Sequence, residues 1–128
     1  MSRIVLDASV LLALIHQEPG AEQLKPELLA EASVNTVNLA EVHAKLVSSG
    51  WPPEEAWEDA RSAAGVIVPF ESEHARIAGN LITQTRLYGL SLGDRACLAL
   101  AISSNAAVYT ADRSWKNLKL GVRIHVIR

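Results

Sequence analysis

Short Val/Ile-rich runs alternate along this chain with longer Ala/Leu-rich stretches, and that alternation narrows the available folds more than any other feature. Ile4 to Leu6, Val34 to Val37, Val66 to Val68, Ala107 to Tyr109 and Arg123 to Ile127 are apolar or nearly so over strand lengths. Continuous apolar strands suit a parallel sheet covered on both faces. Between them the sequence predicts helices over Ala8 to His16, Ala21 to Ala32, Leu39 to Ser49, Pro53 to Ala64, Glu73 to Tyr88 and Leu92 to Asn105. Pro19-Gly20, Gly50-Trp51-Pro52-Pro53, Gly65 and Gly89 mark stops, while Asn38, Ser72 and Ser91 stand at N-cap positions. The expectation is one α/β domain over residues 1–128, three layers deep, with a central, mostly parallel sheet of about five strands. Only three Trp, two Tyr and one Phe interrupt the aliphatic residues, which favours helices packed closely on that sheet.

A chain of 128 residues can bury roughly two-thirds of its unfolded surface and needs no covalent staples. Its single cysteine forms no intramolecular disulfide and points to a reducing, cytoplasmic setting. The longest apolar run, Ala96 to Ile102, falls far short of the roughly 20 residues that cross a bilayer. The opening Met1-Ser2-Arg3-Ile4-Val5-Leu6-Asp7 has no signal-peptide apolar region. Twelve basic against 14 acidic residues leave a net charge of −2, without the global basic signature of a nucleic-acid binder.

Four acids fall at predicted element ends rather than on solvated helix faces. Asp7 follows the first strand, and in open parallel sheets ligands bind beyond the carboxyl ends of strands; Asp is equally a preferred N-cap, for the helix beginning at Ala8. Glu41 lies off the Leu39, Val42, Leu46 stripe, facing a cleft or solvent, but Asn38 and Glu41 also have capping-box spacing and Lys45 stands at i+4 as an ion-pair partner. Asp94, with Arg95, opens a helix whose following stretch, Ala96 to Ile102, is apolar on every side and therefore buried, and Ser91 is spaced to cap it. Asp112 follows another buried-type strand, where a turn-forming Asp is the alternative. Brought to one sheet edge, these groups need a counter-ion, since two carboxylates about 5 Å apart repel by roughly 3 kcal/mol at an effective dielectric of about 20. Oxygen-only donors suit Mg²⁺ or Mn²⁺ rather than Zn²⁺, and carboxylate-held divalent ions are equipment for phosphodiester hydrolysis.

These pieces resemble a family, the PIN-domain nucleases, and within it the VapC-type toxins of toxin–antitoxin pairs. The resemblance rests on Ile4-Val5-Leu6-Asp7-Ala8-Ser9, Glu41, Leu90-Ser91-Leu92-Gly93-Asp94-Arg95 with its apolar helix, and Thr110-Ala111-Asp112-Arg113-Ser114-Trp115, in order across the chain. It implies a three-layer α/β/α PIN-like fold and a Mg²⁺- or Mn²⁺-dependent endoribonuclease. Asp7, Glu41, Asp94 and Asp112 would be its acidic quartet, Asp7, Asp94 and Asp112 its main metal ligands, and Ser9 and Thr110 its supporting hydroxyls. It also implies a homodimer, an RNA substrate, inhibition by a cognate antitoxin, and DNA contact only through that antitoxin.

Arg95, Arg113 and Lys116 stand beside the acids as RNA phosphate contacts or as their neutralising partners. His16, His43, His74 and His125 share no short spacing with a catalytic group, Cys97 reads as a small core residue, and Trp115 as packing or a base-stacking platform. Trp51 and Trp57 read as core or as an exposed patch for a partner. A dehalogenase-type phosphatase also begins with Asp after its first strand, but it requires a second Asp where this chain has Ser9. A phosphoreceiver domain would need an acidic pair near the first strand, which is missing. A non-catalytic PIN-like binding module and a nuclease without an antitoxin are the remaining alternatives.

Overall fold

The computed structural model describes residues 3–128, so Met1 and Ser2, which open the stretch read for a signal segment, lie outside it. Five strands, β1 (Ile4–Leu6), β2 (Ala32–Asn35), β3 (Val66–Val68), β4 (Ala107–Thr110) and β5 (Ile124–Val126), form one sheet in the order β3-β2-β1-β4-β5. Every pairing is parallel, so the mostly parallel expectation sharpens to wholly parallel. The helices are α1 (Ala8–His16), α2 (Pro26–Leu29), α3 (Thr36–Ser48), α4 (Pro53–Ala63), α5 (Ser72–Asn80), α6 (Ile82–Thr85) and α7 (Leu92–Ser104).

Side chains alternate across β1, and the core divides accordingly. Leu6 joins Val34, Val10 and Leu11 of α1, Leu39, Val42 and Leu46 of α3, and Ala56 and Ala60 of α4. Val5 faces the other way, onto Cys97, Leu98 and Ala101 of α7, with Val108, Trp115 and Leu118. The small side chains Ala96, Ala99 and Ala101 let the middle of α7, Ala96 to Ala101, sit inside, as its apolar circumference requires. Among the described residues no helix is long and apolar enough to cross a membrane.

Three predicted elements are redrawn. The helix expected over Ala21 to Ala32 is a 3-10 turn at Ala21–Gln23 and the single turn α2, because Pro26 cannot donate to a preceding turn and starts a helix instead, while Ala32 is drawn into the buried sheet. The second strand ends at Asn35, not Val37, since the Asn35 side chain accepts from Asn38 N and caps α3. The helix expected over Glu73 to Tyr88 breaks after Gly79 and Asn80, poor helix formers, into α5, α6 and a 3-10 turn at Arg86–Tyr88. Caps move with these boundaries: Ser91 caps α7 as expected, but Asn35 replaces Asn38, and Glu71, bonded reciprocally with His74, replaces Ser72.

At Gly20 the loop after α1 packs against Ile127, just beyond the last strand. The Gly20 φ is +97°, a Cβ there would overlap the Ile127 carbonyl, and Gln23 Nε2 donates to the same carbonyl at 2.8 Å. Gly20→Ala is therefore expected to lower stability by about 2–3 kcal/mol, from left-handed strain plus displaced backbone. Urea denaturation measures this, and an unchanged midpoint would contradict it.

Candidate active site

The sheet order places a reversal of winding between β1 and β4, the position at which open α/β sheets form a crevice beyond their strand ends. Asp7 leaves β1 there and Thr110 ends β4 there. Asp7 is only 3% exposed. Its Oδ1 accepts from Val10 N at 3.0 Å and Ser9 Oγ at 2.7 Å, and its Oδ2 from Thr110 Oγ1 at 2.6 Å. Both readings of Asp7 are thus combined in one side chain, which caps α1 and is aimed at the crevice. Burial pushes its carboxyl up to about 6, against the opposing pull of the Ser9, Thr110 and Val10 hydrogen bonds, and the Asp94 charge adds to the rise.

Ser9 and Thr110 do more than hold Asp7. Ser9 Oγ accepts from Ala111 N at 2.9 Å and Thr110 Oγ1 from Asp112 N at 3.0 Å. Each hydroxyl therefore ties the Asp7 carboxylate to the backbone leaving β4. That backbone carries exposed Asp112, whose Oδ1 accepts from Ser114 N and Ser114 Oγ and caps the 3-10 turn Arg113–Asn117.

Half-buried Asp94 is the third residue of α7. Its Oδ2 accepts from Ser91 N at 2.9 Å while Ser91 Oγ accepts from Asp94 N at 3.2 Å, a reciprocal cap beside the positive end of the helix dipole. Glu41 comes from α3, where the expected capping pair with Asn38 does not form. Asn38 lies inside the helix, and its Nδ2 donates to Glu41 Oε1 and to Gly93 O, each at 3.0 Å.

Asp7, Glu41, Asp94 and Asp112 come from four separate elements and line one open cavity of about 250 Å³ with Ala8, Ser9, Leu12 and Lys45. Among the described residues Lys45 is the one cation lining it, and it forms no ion pair with Glu41; the ion pairs among them join Arg61 to Glu58, Arg76 to Glu73, and Arg128 to Glu18. None of the histidines lines this cavity. His16 and His43 pack edge-on against Trp51 and Trp57, and His125 lies against Tyr109. Cys97 is buried in α7, and burial pushes its thiol well above the usual range.

The expected phosphate contacts do not stay together. Arg95 lines no part of the acidic cavity; its Nη1 donates to Ala78 O and ties α7 to α5. Arg113 and Lys116 line a neighbouring groove along β5 with His125 and Arg128. Sequence reasoning missed Asn38 and Gly93 as site residues, although a glycine in the first turn of a helix is a signal, because glycine weakens a helix there without a cap to serve.

Among the described residues no three acidic, histidine or cysteine side chains converge closely enough to enclose an ion unaided. The donor set nevertheless fits a hard divalent cation, which takes oxygen ligands and, as Mg²⁺, keeps several waters beside one or two carboxylates. A buried carboxylate with no cationic partner among the described residues, in a cavity lined by three more acids, is the chemistry such an ion satisfies.

The PIN domain family model matches residues 4–120. No curated protein sequence matches the chain. Among solved structures, DNA-bound VapBC from Salmonella typhimurium has a TM-score of 0.80 at 16% identity, covering 100% of both chains. VapBC2 from Rickettsia felis, bound to a promoter DNA fragment, gives 0.74 at 21%, covering 98% of each. VapC20 from Mycobacterium tuberculosis, described as a Sarcin-Ricin loop cleaving toxin, gives 0.69 at 17%, covering 94% of this chain and 98% of that one. At such identities the likeness establishes the fold, with the expected three layers. With the family model spanning nearly its whole length, this chain belongs to the PIN domain family.

Proposed function

We propose that this protein is a Mg²⁺- or Mn²⁺-dependent endoribonuclease, the toxin of a toxin–antitoxin pair, acting on cytoplasmic RNA as a homodimer until a cognate antitoxin blocks it. The observation that carries the reading is the convergence of Asp7, Glu41, Asp94 and Asp112 on one cavity at the sheet's winding reversal. The VapBC structures from Salmonella and Rickettsia, both bound to DNA, support an antitoxin partner, to which we assign the DNA contact. The activity stated for VapC20 supports RNA as the substrate.

Asp7, Asp94 and Asp112 would hold the cation, directly or through water, with Glu41 as the fourth carboxylate. When bound, such an ion lowers the pKa of water and stabilises charge on the phosphate oxygens. Ser9 and Thr110 hold both Asp7 oxygens and keep the backbone of Ala111 and Asp112 beside them. The reaction is hydrolysis, in which water adds at phosphorus and the bridging oxygen leaves. Lys45 contributes the cavity's positive side chain toward a phosphate, and Arg113 and Lys116 a path for the flanking strand.

The purified chain should cut structured RNA with Mg²⁺ or Mn²⁺ and stop in EDTA. Electrophoresis of end-labelled transfer and ribosomal RNA reads the result. Metal-independent cleavage would overturn the proposal, and the absence of any Mg²⁺ or Mn²⁺ binding that depends on Asp7 and Asp94 would point to a non-catalytic module.

A further inference from the structure

Glu41 is exposed, on a helix face, with a flexible side chain, yet its carboxylate is held against the first turn of α7. Asn38 is 1% exposed and every polar atom of its amide is used. Oδ1 accepts from Asn35 Nδ2 at 2.7 Å, and Nδ2 donates both to Glu41 Oε1 and to the Gly93 carbonyl. That set fixes the amide's orientation, since turning it over would set its oxygen against two other oxygens. Asp would do the same with a full charge, and Ser or Thr has too few donors for both acceptors.

Gly93 supplies the opposite wall. It is buried in the first turn of α7 at an ordinary helical φ, so no left-handed conformation calls for glycine. A Cβ there would instead occupy the space of the Glu41 carboxylate. The missing side chain lets Glu41 lie against the N-terminal turn of α7, next to Asp94. One amide thus grips α3 and α7 together, and one glycine leaves the space into which the carboxylate is guided.

We infer that Asn38 and Gly93 are positioning residues for Glu41, a two-part latch that sets its carboxylate beside Asp94 so that the cavity binds a divalent cation with four acids rather than three. The inference rests on the metal-dependent reading above and deepens it, assigning Glu41 a place that depends on α7.

The test is calorimetric titration of Mn²⁺ into the full chain, for the wild type and for Gly93→Ala, Asn38→Ala, Glu41→Gln and the Gly93→Ala/Glu41→Gln double variant, with Asp7→Asn as control. Gly93→Ala should fold at least as well as the wild type, because alanine is the better helix former and the displaced atoms are the free end of a side chain. Its Mn²⁺ affinity should nonetheless fall about 10- to 100-fold, the usual result of removing support from a ligand. Glu41→Gln should fall similarly, and the double variant no further than Glu41→Gln alone, as for groups acting through one another. Without metal, the Asn38 side-chain amide protons should exchange slowly in the wild type and shift in Gly93→Ala. Asn38→Ala removes the same latch from the other side, and if it unfolds, Gly93→Ala still decides. Affinity of Gly93→Ala within about twofold of the wild type, or fully additive losses in the double variant, would overturn the inference. A wild type that itself shows no Asp7-dependent Mn²⁺ binding would overturn the metal reading and this inference together. Failure of the latch alone leaves wild-type binding intact.

Discussion

Asp7→Asn is expected to lower RNA cleavage by at least about 10³-fold, a loss of roughly 4 kcal/mol of the charge stabilisation that a carboxylate-held ion supplies. The same substitution should leave the fold intact. Asn is as good an N-cap as Asp, its Oδ1 can still accept from Val10 N and Ser9 Oγ, and the Thr110 hydroxyl can rotate to accept from Nδ2. Removing the charge should even stabilise the metal-free protein. With the Asp7 carboxyl raised by burial from 3.8 to about 6, the folded state holds the proton more tightly than the unfolded chain. This group's contribution is therefore most favourable below about pH 4 and is lost as pH rises toward about 6, by up to about 3 kcal/mol at neutral pH. In EDTA the variant should melt at or above the wild-type temperature at pH 7.5, and the difference should vanish near pH 3.5. Added Mn²⁺ should raise the wild-type melting temperature far more than the variant's, because a ligand stabilises only the state that binds it. Cleavage within tenfold of wild type would remove Asp7 from the site, and wild-type stability rising relative to the variant between pH 4 and 6 would contradict its buried charge.

How Asp7 serves as both cap and acid shows what a single sequence conveys and where it stops. The alternation of strand and helix, the buried apolar stretch of α7 and the four acids at element ends are local patterns, so they are legible. Strands Ile4–Leu6 and Val66–Val68 fall where the apolar runs place them. The errors arose where local signals compete. Thr36 and Val37 have strand propensity and extended the second strand, but Asn35 takes the Asn38 N–H and begins a helix three residues early. That displacement turned Asn38 from a buried amide gripping α7 into an N-cap. The Asn38 contact to Gly93 spans 55 residues, and no pattern within a helical window reports it. Arg95 was misplaced for the same reason, since only the packing of α5 on α7 brings the Ala78 carbonyl to its guanidinium. Chemical type and order were readable; the long-range partner of each polar side chain was not.

Trp115 joins the stability of the fold to the geometry of the site, and its removal is the largest destabilisation expected. It is fully buried, the largest such side chain, and packs with Val5, Cys97, Leu98 and Val108 on the α7 side of the sheet. Trp115 N donates to Asp112 O at 3.2 Å, so the indole anchors the 3-10 turn that Asp112 caps. Packing, rather than stacking on a base, is therefore its role in this structure. Trp115→Ala leaves an indole-sized cavity and should cost about 3–5 kcal/mol, seen as a lower urea midpoint. At a temperature where the variant is still folded, cleavage should fall as well, because the Asp112 turn loses its anchor. Among the described residues the buried indole Nε1 has no hydrogen-bond partner, and a buried donor left unpaired costs about 1–3 kcal/mol. Trp115→Phe removes that unpaired donor along with part of the ring, so the two effects oppose each other and the net cost should be below about 2 kcal/mol. If Phe proves as damaging as Ala, the indole N–H has a partner, and the turn that carries Asp112 is held by a hydrogen bond rather than by apolar packing.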